Sequence, residues 1–184
     1  MNRLAVLLAA VVVATACSAQ PAATPAPAKP VVAAVVPPGF VGDVLKGYEG
    51  LRKALADDDT AAVAARAKEL KVLTDAAVAA AAGAPQVPQT AALAAAANRL
   101  AASAETPHFK DFKEARLAYG ELSKAVVAVV VADPSLQPGR FLFECPMAKG
   151  YQRWVQLEEK MANPYMGKRM LECGMGISPW KVEG

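Results

Sequence analysis

The chain has 184 residues, 54% of them apolar, and a formal net charge of +3, enough for one good core but not for two full domains. Aromatic residues make up only 6% and the charges are dispersed without long blocks of one sign, which excludes both the base-stacking platforms and the electrostatic footprint of a nucleic-acid binder. Much of the apolar count is alanine, the best helix former.

Residues 1–16 have the layout of a secretory signal: Asn2-Arg3, an apolar run from Leu4 to Val13, then small residues leading to Cys17. The run is too short to span a bilayer comfortably. Ala14-Thr15-Ala16-Cys17 resembles a bacterial lipobox, which would make Cys17 a lipidated first residue. Ala14 stands where Leu is usual, and cleavage after Ala16 by ordinary signal peptidase remains the alternative. Residues 17–38 form a linker. Its Pro21, Pro25, Pro27 and Pro30 repeatedly remove backbone donors, so a semi-extended tether is expected ahead of a helical domain over 39–184.

Val44, Tyr48, Leu51 and Leu55 recur at helical spacing, and Asp58 or Asp59 is placed to cap a second helix running to about Ala82. The apolar face of that helix is Val63, Ala67, Leu70, Thr74 and Ala77; Gly83, Pro85 and Pro88 then break it. A third helix, from about Gln89 to Ser103, offers only Leu93 and Leu100 as large residues. Thr106-Pro107 signals a fourth start. From there Phe109 or Phe112, Ala115, Tyr119, Leu122, Val126 and Val129 mark one face of a helix ending before Pro134. The β-branched run 126–131 keeps the phase of the preceding turns and is read as helix. The expected fold class is all-α: a four-helix up-down bundle with a C-terminal Cys/Met-rich segment packed on it.

That segment, 140–177, has a different character. Residues 140–145 are apolar and aromatic, a short helix is expected from Tyr151 to Met161, and another from Tyr165 to Cys173 with Gly174 as its left-handed terminator. Apart from Met1 and Cys17, every methionine and cysteine of the chain lies here, with Cys145-Pro146-Met147 echoed by Cys173-Gly174-Met175. On a helix Met166, Met170 and Cys173 share one stripe, and in an extended Cys-x-Met unit the first and third side chains point the same way. A soft-metal site drawing on Cys145, Met147, Met170 and Cys173, with Met166 and Met175 nearby, is therefore readily assembled and would favour Cu(I) or Ag(I). The competing reading is a Cys145–Cys173 disulfide in an oxidising compartment, with the methionines as core filler.

His108 is the only histidine, which excludes His-rich zinc or blue-copper sets and an imidazole-based nucleophile. Glu158, Glu159 and Glu172 read as solvated positions, and no catalytic residues are expected. Trp154, Tyr165 and Trp180 are expected to pack the C-terminal segment onto the bundle.

Taken together, Cys145-Pro146-Met147-Ala148, Asn163-Pro164-Tyr165-Met166-Gly167 and Met170-Leu171-Glu172-Cys173-Gly174 resemble a bacterial domain family of unknown function. That family occurs in exported proteins and fused to periplasmic adaptor subunits of copper/silver efflux systems. Met166 stands where the resemblance implies an aromatic residue. The resemblance implies a heavy-metal context. The resulting expectation is an exported, periplasmic, lipid-anchored protein that binds or passes on copper, with an efflux or envelope protein as partner. The alternative is a metal-free interaction module locked by the disulfide.

Overall fold

The computed structural model describes residues 39–80, 88–105 and 112–180. The signal segment, Cys17, the linker, Gly83, Pro85, Thr106, Pro107, His108 and Phe109 lie outside them. Four helices follow in order: α1 (Phe40–Ala56), α2 (Thr60–Ala80), α3 (Pro88–Ser103) and α4 (Lys113–Ala132). Among the described residues no helix is long and apolar enough to cross a membrane.

The four helices stand close to their expected places, except that α4 begins at Lys113, with Phe112 at φ 57° just before it, and not at the Thr106-Pro107 signal. Val44, Tyr48, Leu51 and Leu55 of α1 are buried, as is every residue of the face read for α2 from Val63 to Ala77. Asp59 is the cap of α2, its Oδ1 accepting from Ala62 N at 2.9 Å. Asp58 instead adopts φ 53° and turns its carboxylate to Arg116 and to the Lys168 amide. In α3, Leu93 and Leu100 are buried among alanines. The β-branched run 126–131 is helical to Ala132, and Pro134 opens a short 3-10 turn.

The all-α expectation is wrong. The C-terminal part forms a three-stranded antiparallel sheet, β1 (Phe141–Glu144), β2 (Arg153–Gln156) and β3 (Met175–Gly176), in the order β2-β1-β3. Phe143 faces Trp154 across β1 and β2, and Glu144 faces both Arg153 and Met175. The helix expected from Tyr151 to Met161 is thus strand β2 followed by a loop. The one expected from Tyr165 to Cys173 is a turn and a single 3-10 turn, Gly167–Met170. Short segments of this kind are decided by their partners in space. Trp154 stacks on Phe143 with centroids 5.5 Å apart, and all four residues of β2 are buried, a burial no isolated amphipathic turn could reach.

Consecutive helices pack on one another from α1 to α4, while β2 lies against both α4 and α1. The sheet thereby takes up the side on which an up-down bundle would close. Tyrosines seal the junction: Tyr48 of α1 and Tyr119 of α4 stack at 5.4 Å, and Tyr165 meets Tyr119 edge-on at 5.4 Å. Tyr119 Oη donates to Tyr48 Oη (2.7 Å), Tyr48 Oη to Ser123 Oγ (2.8 Å), and Ser123 Oγ to the Arg153 carbonyl (2.7 Å). Tyr165 Oη donates to that same carbonyl at 2.7 Å. Burial pushes the Tyr48 hydroxyl up to about 12 and those of Tyr119 and Tyr165 well above their usual range, so each stays protonated and able to donate.

Candidate metal centre

Strand β1 ends at Glu144, and Cys145 begins a four-residue turn closed by the Ala148 amide on the Cys145 carbonyl at 3.0 Å. Pro146 at the second position supplies the φ that such a turn requires. Gln152 ties the turn down from inside, its Nε2 donating to the carbonyls of Pro146 (3.0 Å) and Ala148 (3.1 Å). The result is a fully buried Cys145 beside a Met147 that is 59% exposed.

Cys173 arrives from the other side, held by Asn163. The Asn163 side chain is fully buried. Its Oδ1 accepts from the amides of Tyr165 (2.8 Å) and Met166 (3.2 Å), and its Nδ2 donates to the Cys173 carbonyl. Its backbone amide binds the Leu171 carbonyl at 2.7 Å. Two glycines are fixed by close approach. A Cβ on Gly167, at φ 61°, would fall 2.1 Å from Asp58 Oδ1, and one on Gly174 would fall 2.7 Å from the Glu144 carbonyl. At φ 145°, Gly174 is not the left-handed helix terminator expected; it lets the Cys173 loop press against β1. The Asn-Pro-Tyr-x-Gly segment is therefore a clamp that brings Cys173 to Cys145.

The sulfurs meet at the join. Cys145 Sγ lies 4.0 Å from Cys173 Sγ, and Cys173 Sγ lies 3.9 Å from Met147 Sδ. The two cysteines are not bonded to each other in this structure. Burial, with the neighbouring Cys145, raises the Cys173 thiol above its ordinary range. Three of the four principal ligand candidates, Cys145, Cys173 and Met147, are thus adjacent.

The remaining candidates are placed differently. Met175 pairs with Glu144 across the sheet and is 52% exposed, on the strand face alternate to that of Phe143. Met170 ends the 3-10 turn, half-buried, and contributes its carbonyl to the Cys173 amide at 3.1 Å. Met166 lines a cleft together with Met147. The α-helical stripe expected to align Met166, Met170 and Cys173 does not exist. Met161 was not among the candidates, yet its Sδ would stand 3.1 Å from a Cβ on Gly174, next to the Trp154 ring. No spacing rule could have shown this, because it depends on the fold of the 157–163 loop.

That loop is anchored by polar side chains. Gln156 accepts from Trp154 Nε1 (3.0 Å) and donates to the carbonyls of Glu158 (2.6 Å) and Lys160 (2.7 Å). Buried Arg52 of α1 pairs with Glu49 at 2.7 Å, reaches the Ala162 carbonyl at 2.9 Å, and touches Glu158 at 3.2 Å. Burial outweighs the Arg52 charge at Glu49, whose carboxyl is raised, whereas the Lys53 ammonium lowers that of Glu158. Trp154 is fully buried, Tyr165 nearly so, and Trp180 packs on the core partly exposed, as the aromatic expectation required.

Among the described residues no group of three His, Cys, Asp or Glu side chains could hold a metal ion; the further donor beside the two thiols is the Met147 thioether. No family model, curated protein or solved structure matches the chain.

Proposed function

We propose that the protein binds Cu(I), or Ag(I) in its place, through Cys145, Cys173 and Met147. The observation that carries this reading is the pair of sulfur contacts at 4.0 and 3.9 Å. Metal–sulfur bonds of ~2.3 Å in a trigonal plane separate their sulfurs by ~4.0 Å. Two thiolates and a thioether are a donor set that selects a soft monovalent ion over Mg, Ca or Mn. The resemblance of the three sulfur-region motifs to the domain found with copper/silver efflux adaptors supports the same chemistry. An exported protein tethered through a lipidated Cys17 would present the centre to a heavy-metal efflux or envelope partner.

Anaerobic competition against a Cu(I) chelator tests the centre. One equivalent should be retained by the native protein and lost in the Cys145→Ser, Cys173→Ser double variant. Met147→Leu should weaken retention, while Met170→Leu and Met175→Leu leave it unchanged. Equal retention in the cysteine variant would refute the ligand set. Because the Cys173 thiol is raised, it is protonated at neutral pH and must release its proton to the medium on binding. Apparent affinity should then climb with pH, up to about tenfold per unit for each proton displaced, and level off above the thiol range.

A further inference from the structure

Beside the three sulfurs a cleft of about 330 Å³ opens, with Met147 as the wall they share. Its lining includes Lys113, Arg116, Lys149 and Arg169, and among the described residues it contains no carboxylate. Arg116 is committed to Asp58 and to the Pro164 and Leu55 carbonyls, so it fixes the floor. Lys149 and Arg169 are exposed at the rim. Met166 supplies a second thioether and Leu117 an apolar side. The arrangement is cationic, partly apolar and sulfur-bearing, and it adjoins the exposed edge of a site whose inner ligand, Cys145, is out of solvent's reach.

Resting on the Cu(I) reading above, we propose that this cleft receives Cu(I) as an anionic complex of a small thiol, with the thiol's carboxylates on the Lys149 and Arg169 side chains. The cleft's volume suits one of the two thiols of that complex, leaving the other at its open mouth. Opposite charge would concentrate an anionic donor at its mouth. From there the ion passes by ligand exchange. Met147 bonds first, then the Cys173 and Cys145 thiols replace the two donor thiolates one at a time. The two protons leaving the cysteines go to the two departing thiolates. Copper stays Cu(I) throughout, and no oxidant or reductant enters.

Glutathione, with two carboxylates and one ammonium, is the probe. S-methylglutathione, which lacks the metal-binding thiolate, should shift the methyl resonances of Met147 and Met166 in the metal-free protein and leave that of Met175 in place. A Lys149→Glu, Arg169→Glu double variant should abolish those shifts. In stopped flow it should slow Cu(I) transfer from the glutathione complex by about tenfold or more at low salt. Its equilibrium Cu(I) retention against a chelator should not change. Absence of the methyl shifts in the native protein overturns the proposal. If charge reversal slows transfer while the methyls never move, the cations steer a larger acidic donor and the small-molecule cleft is likewise refuted. Should the native protein retain no Cu(I) at all, the metal reading fails by itself, and the methyl shifts still decide whether the cleft takes the anionic peptide.

Discussion

Helices α2 and α3 and the segment 140–177 are built on opposite plans. The helix pair is repetitive and alanine-rich, with Val63, Leu70, Leu93 and Leu100 as its large buried side chains and most of its backbone bonds satisfied locally. The C-terminal segment has only three short strands and a 3-10 turn and is held by buried side-chain amides, a guanidinium and hydroxyls that bond backbone groups, several of them many residues away. The difference teaches where a site can be placed. A helix presents ligands only at its own period, whereas irregular backbone pinned by Asn163, Gln156 and Arg52 can bring Cys145 and Cys173 together across 28 residues.

The contrast can be broken most severely at Arg52. Replacing it with Ala leaves the buried Glu49 carboxylate with only the half-exposed Lys53 ammonium at 3.8 Å and frees the Ala162 carbonyl, a loss of about 3 kcal/mol in urea unfolding. A Glu49→Leu, Arg52→Met double variant should cost much less, since no charge is then stranded. Leu100→Ala in α3 should cost about 2–4 kcal/mol while leaving Cu(I) retention at its native level, because α3 packs on α2 and α4. Asn163→Ala should cost about 2–3 kcal/mol, as the buried Tyr165 amide and the half-buried Met166 amide lose their acceptor. Unlike Leu100→Ala, it should also weaken Cu(I) retention by releasing the Cys173 loop. The smallest effect is of opposite sign. Tyr151 Oη is buried without a hydrogen-bond partner among the described residues, so Tyr151→Phe should stabilise by up to about 1 kcal/mol, read as a raised midpoint of urea unfolding.

What the sequence made legible follows the same division. The helices declared themselves because each carries its core face at a fixed local period, and Asp59 capped where a short acidic side chain before an apolar run should. The sheet did not. Its strands are two to four residues long, too brief for alternation to show, and β2 is buried throughout by partners elsewhere in the chain. The clustering of sulfur toward the C-terminus pointed to Cys145, Cys173 and Met147, but the helical stripe invoked to align Met166 and Met170 rested on a helix that tertiary contacts replace. Met161, Lys149 and Arg169 gave no signal at all, since each owes its position to a loop whose course is set by nonlocal hydrogen bonds. Asn163 was quoted as part of a motif, yet its role as a clamp emerges only when its three side-chain bonds are seen together.

Copper K-edge X-ray absorption of the anaerobic one-to-one Cu(I) complex bears most directly on the central claim. Sulfur ligation by Cys145, Cys173 and Met147 predicts a first shell of three sulfurs at ~2.3 Å, falling to two after Met147→Leu. A shell of nitrogen or oxygen, or one still of three sulfurs after that substitution, would contradict it.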